Sequence, residues 1–301
     1  MKGLCLLFVL LLAPFVFSQE PIYTVSELKI NDERPHFSLN IHKNKVYYIS
    51  YLLNKNRKIK TVLGNPSLTV FEAEIIDGEI VNETPIELDS ETHVTNVSSV
   101  LLSPEGTNLY ITVTYNNKNS PKGDFNIENF HIEVGEFIEG VGWTNFKVLP
   151  FCNPKYSYGH PTFSKDGKTM YFIANIKGGK EVAKGASDIF KVDVLGNNTF
   201  GEPTNLGIKV NSFSKEIYPF ISDDNTLYFA SNRPNGYGGF DIYKSKMDTD
   251  GNFEKAEKLP ESINSKQDDL CFVIDSKNGT GFFSSKRSGG KGEDDIYYFI
   301  S

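Results

Sequence analysis

Cysteine is nearly absent from this chain. Of three cysteines in 301 residues, Cys5 lies in an apolar leader, so only Cys152 and Cys271 remain, too few for a disulfide scaffold. There is no basic excess either. The net charge is −7, with Lys, Asp and Glu interspersed, which excludes a general nucleic-acid surface. The one basic run, Lys55, Arg57, Lys58 and Lys60, reads as a solvated loop. Beyond residue 18, no apolar stretch approaches the roughly 20 residues needed to cross hydrocarbon, so no membrane span is expected. Nucleophile-elbow, phosphate-loop and dinucleotide motifs are missing in a strand-to-helix context. His36, His42, His93, His131 and His160 lack the spacing of a metal site, so neither metal nor cofactor is expected.

What is present is aromatic and patterned. Fifteen tyrosines and 23 phenylalanines stand beside only three methionines, a composition that suits pleated, half-buried strands. The segment from Leu4 to Phe17 is almost wholly apolar, follows Lys2 and ends at Val16-Phe17-Ser18. This pattern predicts a cleaved signal peptide over 1–18 and an exported chain, periplasmic, outer-membrane-associated or extracellular. Residues 19–301 are then expected to form one domain.

A repeat organises that domain. The segment beginning Pro161-Thr-Phe-Ser-Lys-Asp-Gly returns as Pro219-Phe-Ile-Ser-Asp-Asp-Asn, and more loosely from Cys271. Two upstream copies begin near Val100 and Pro35. Each copy runs strand, polar turn, strand, Gly-rich loop, then a third strand opening at Asp188-Ile-Phe, Asp241-Ile-Tyr or Asp295-Ile-Tyr. A fourth strand follows a turn such as Asp250-Gly251-Asn252. Four antiparallel strands per repeat make a propeller blade, and a lone blade leaves both faces exposed. The fold class is therefore all-β, a β-propeller of about five four-stranded blades. The fifth copy stops on its third strand, while Val25-Ser-Glu-Leu-Lys-Ile-Asn near the start matches the fourth-strand segment Glu257 to Asn264. The N-terminal strand is thus expected to complete the last blade.

The phrase Phe-Ser-x-Asp-Gly-x-x-Leu-Tyr-Phe-x-Ser-x-Arg, followed by Gly-x-Asp-Ile-Tyr, resembles the WD-like propeller repeat of the TolB family, in the form exported by Bacteroidetes-type bacteria. The match is close over 161–301 and looser over 35–160. It implies a protein-interaction platform of the cell envelope without catalysis, binding an envelope protein or a glycan, and expected as a monomer. TolB itself has six blades, so six remain open beside five.

Four rim aromatics are candidate contacts: Tyr156 and Tyr158 before the third blade, Tyr237 and Phe240 around the Gly-rich loop of the fourth. Arg233 with Asp241 and Arg287 with Asp295 repeat a spacing of eight across that loop, which predicts cross-strand structural pairs, with Asp188 at the matching place. The alternative is a carbohydrate-active hydrolase, with such acids converging in the channel as general acid and base. The turn at Asp248 starts like a calcium loop but has its glycine misplaced, so a hairpin is expected.

Overall fold

The computed structural model describes residues 22–62, 64–88, 97–114, 128–177 and 183–301; the leader at 1–18 and His93 lie outside them. Five antiparallel units, each of four strands apart from a short extra strand, Thr199–Phe200, in the third, are ordered outward from a first, innermost strand. The first blade comprises Phe37–His42, Lys45–Tyr51, Leu68–Ile76 and Glu79–Pro85. The second comprises Ser99–Leu102, Asn108–Thr114, Phe130–Ile138 and Gly142–Val148. In the third, Tyr158–Phe163, Thr169–Ala174 and Asp188–Gly196 are followed by the short Thr204–Asn205. The fourth is Glu216–Ile221, Thr226–Ser231, Asp241–Lys246 and Glu257–Lys258. The fifth is Asp269–Asp275, Thr280–Ser285 and Asp295–Ile300, completed on its outer edge by Thr24–Glu27. First strands touch the neighbouring blade all round, the fifth against the first included, so the ring is closed with five blades. Among the described residues no helix is long and apolar enough to cross a membrane.

Local chemistry sets the hairpins. In the turn at Ser164, the serine hydroxyl donates to Asp166 at 2.7 Å and accepts from the Thr169 N–H at 3.0 Å. Ser222 and Asp224 build the same turn one blade later, with Asn225 rather than glycine in the left-handed region. The Asp248 carboxylate accepts the N–H groups of Asp250 and Asn252, so the calcium-like segment is a hairpin turn.

Between blades lie the cores. Leu39, Tyr48 and Phe71 of the first blade pack with Val273, Phe282 and Ile296 of the last. Tyr171 and Ile189 of the third pack with Leu227 and Phe229 of the fourth. Burying each such side chain stabilises by about 1.5–3 kcal/mol, and only a neighbouring blade supplies that burial.

Two hydrogen-bond devices tie the blades. Asn31, Asn211 and Asn264, all buried, each grip one isoleucine of the preceding third strand, accepting its N–H and donating to its carbonyl. For Asn31 that isoleucine is Ile296, with bonds of 2.8 and 2.9 Å. The second device is a bulge. In four blades the first strand slips register by one residue, at Ser38, His160, Tyr218 and Cys271, each in the left-handed region. Three freed N–H groups reach the preceding blade: Ser38 donates to Cys271 Sγ, His160 to Thr112 Oγ1 and Tyr218 to His160 Nδ1. Left-handed backbone costs a non-glycine residue roughly 1–2 kcal/mol. These inter-blade bonds offset that strain.

Candidate functional site

Loops entering first strands and loops joining second to third strands gather on one face. There, between the second, third and fourth blades, the structure opens a depression of about 490 Å³. Its walls are apolar: Phe130, Ile173, Ala174, Ile217 and Phe240. Ser98, Thr114, Ser157, Asn175, Ser187 and Lys215 supply polar groups. His160 borders both this depression and a second cavity on the ring axis. The axial cavity holds only about 30 Å³, room for about one water, among Ser38, Ser99, Tyr218 and Cys271. Among the described residues lining either space there is no carboxylate. Among the described residues the mouth is wide, and the axis beneath it is shut.

His160 is held by ring stacking and by hydrogen bonds of its backbone and ring. Its imidazole stacks on Tyr218 with centroids 3.8 Å apart and planes 5° from parallel, and Phe130 lies parallel beyond it. Burial pushes its pKa down to about 3. Because Nδ1 accepts the Tyr218 N–H at 3.2 Å, the neutral ring carries its proton on Nε2.

The position has a consequence for acid stability. In the unfolded chain a histidine titrates near 6.5; in the folded chain His160 stays neutral far below that, and buried His36 is shifted the same way. Stability is therefore fully present above 6.5 and is lost as pH falls toward the folded value, by about 1.4 kcal/mol per pH unit per histidine. Asp294 acts in the opposite sense, since burial raises its carboxyl to about 6 and lower pH relieves the penalty of its charge. In His160→Gln, the stability lost between pH 7 and pH 4.5 is expected to shrink by roughly 2 kcal/mol relative to wild type. Urea unfolding at both pH values checks this, and an unchanged loss would show that the His160 ring protonates freely in the fold.

The four aromatics expected at the rim are not brought together. Tyr158 is buried core, packed against Phe151 and Phe172, which corrects its assignment as a contact. Tyr156 is half-buried, and its hydroxyl donates to the Lys177 carbonyl. The Tyr237 ring lies beneath the Lys258 ammonium, 4.3 Å from it. Phe240 alone of the four reaches the wall of the depression.

The arginine pairing also differs from the expectation. Arg233 bonds Glu216 at 3.0 Å and stacks on Tyr243, while Arg287 bonds Asp269 at 3.0 Å between Phe283 and Tyr297. The register explains it. Asp241 stands opposite Ser231 and Asp295 opposite Ser285, so each arginine lies two residues past its expected partner and turns back to the first strand. The aspartates instead hold their own loops: Asp188 accepts the N–H groups of Lys184 and Gly185, Asp241 that of Tyr237, and Asp295 those of Lys291 and Gly292. A Cβ on Gly236 or Gly290 would lie 1.8 or 2.0 Å from the aspartate beneath, which explains the glycines of these loops. Glu216 and Asp269 escaped the sequence reading. Their signal was the shared Asn-Ser-x-x-x-acid spacing, Asn211 to Glu216 and Asn264 to Asp269.

No family model matches the chain, and no curated protein matches it. Solved structures do. TolB from Acinetobacter baumannii is similar at 14% identity over 89% of this chain and 55% of its own, with a TM-score of 0.44. A puromycin-hydrolyzing peptidase from Mycobacterium tuberculosis is similar at 11% identity over 88% of this chain and 45% of its own, TM-score 0.44. An oligogalacturonate lyase from Vibrio parahaemolyticus is similar at 13% identity over 90% of this chain and 67% of its own, TM-score 0.43. The chain thus spans about half the length of TolB and of the peptidase. These likenesses carry no argument about chemistry, and the propeller assignment stands on the strand order and ring contacts above.

Proposed function

We propose that this chain is a non-catalytic binding propeller of the bacterial cell envelope, of the kind exported by Bacteroidetes-type bacteria. It takes a protein or glycan partner at the mouth of its ring. The observation that carries this reading is the pairing of an open depression of about 490 Å³ with a closed axis and no carboxylate in either wall among the described residues. A cavity of that size, apolar with a few polar groups, has the character of a binding site. The acids Glu216, Asp241 and Asp269 are committed to arginines or to loop N–H groups, and among the described residues lining the depression no acid–base pair is placed. On this reading residues 1–18 direct export and 19–301 act as one monomeric domain.

Ala186 lines the mouth and is exposed, so Ala186→Trp fills the depression without touching the core. Tagged wild-type protein is expected to enrich an envelope protein or glycan from extract at least tenfold over Ala186→Trp. Equal enrichment by both would place the contact elsewhere. Release of reducing ends from a polysaccharide panel by purified protein would revive the hydrolase alternative.

A further inference from the structure

The wall of the mouth has an uneven charge. Among the described residues that line it, Lys215 is the only charged side chain, and its ammonium makes no ion pair or side-chain hydrogen bond with them. A second donor lies deeper. His160 carries its proton on Nε2, which no described protein acceptor engages, while part of the residue borders the open space. The same lining carries Phe130, Ile173, Ile217 and Phe240. Resting on the reading of the mouth as a binding site, we infer that it takes an organic carboxylate with a flat or branched apolar body. The carboxylate faces Lys215 and the body lies against Phe130 and Phe240. Aromatic and aliphatic walls reward burial of the body, and the exposed Lys215 ammonium, without an ion pair to the described residues, rewards one negative charge. A cationic ligand would meet Lys215 with no carboxylate among the described lining residues to oppose it.

The chemistry is shared by a free carboxylic acid and by a protein chain ending in an apolar residue. Four probes separate the cases: naphthalene-2-carboxylate, its carboxamide, and a pentapeptide ending in Phe with a free or an amidated C-terminus. Binding is measured by calorimetry to full-length protein at low salt. The acid in each pair is expected to bind at least tenfold more tightly than its amide. Lys215→Gln, at an exposed position, is expected to erase that difference while leaving the amide affinity unchanged, and added salt weakens the acid alone. Tighter binding of the free-ended peptide than of naphthalene-2-carboxylate identifies a chain end as the source, and the reverse a small acid; either supports the class. Equal affinities for acid and amide, both lost in Ala186→Trp, overturn the anionic class and leave the mouth standing. Acid binding that survives Ala186→Trp overturns both. No binding of any probe overturns the proposal.

Discussion

A chain that begins at Pro35 is expected to melt roughly 10 to 20 °C below the full-length protein, or not to fold cooperatively at all. The truncation removes the strand Thr24–Glu27, which covers the outer edge of the last blade. It also removes Tyr23 and Leu28 from the core and the two Asn31 bonds to Ile296. Two buried apolar side chains contribute about 1.5–3 kcal/mol each, and an unpaired buried amide or carbonyl costs about 1–3 kcal/mol. Together these reach the 5–15 kcal/mol by which a domain is stable. Asn31→Ala alone is a sharper version. It leaves the Ile296 N–H without a partner and its C=O with only the Leu28 N–H, and its loss is expected to match that of Asn264→Ala, which breaks the same bonds to Ile242 at an interface that closes nothing. Differential scanning calorimetry of the three proteins decides the matter. A Pro35 start that melts with the full-length chain would show that the N-terminal strand is not what closes the ring.

Arg287→Ala is expected to destabilise the protein by about 3–5 kcal/mol at pH 7, because it strands a carboxylate with no exposed surface. Asp269 then keeps only the Ser265 N–H and the Ser285 hydroxyl to oppose burial, which already pushes its carboxyl upward. A raised folded value means that the folded form holds its proton more tightly than the unfolded chain. The penalty in the variant is therefore greatest at neutral pH and shrinks as pH falls toward 5. Arg287→Lys is expected to recover only part of the loss, since an ammonium does not stack between the rings of Phe283 and Tyr297 as the guanidinium does at 4.8 Å from each. Urea unfolding from pH 5 to 7 reads both effects. A loss below about 1 kcal/mol, the range of a surface ion pair, would mean that the Arg287 pair is solvated in the protein.

The closing strand was legible in the sequence because the segment Val25 to Asn31 resembles Glu257 to Asn264, both ending in Ile-Asn, and Asn31 and Asn264 make the same bonds. The Asp-Ile-aromatic openings were legible for a similar reason: strand alternation and turn residues act over a few neighbours. The arginine partners were not. A spacing of eight suggested Asp241 for Arg233, but the partner, Glu216, stands 17 residues away on another strand. Tyr158 read as a loop aromatic, yet the first strand of its blade begins at that residue and turns its ring into the core.

By itself, then, the sequence set out the strand segments, the closing end and a ring of about five blades, since each follows from short-range periodicity repeated along the chain; that the ring closes at five rather than six came from the contacts between first strands. Only the tertiary structure decided where the ring opens and where it is shut. The mouth joins Ser98, Asn175, Lys215 and Phe240 from three blades, and the axis is sealed by bulges whose N–H groups bond side chains of the preceding blade. Contacts over such separations depend on how blades lie against one another, and no local pattern records that.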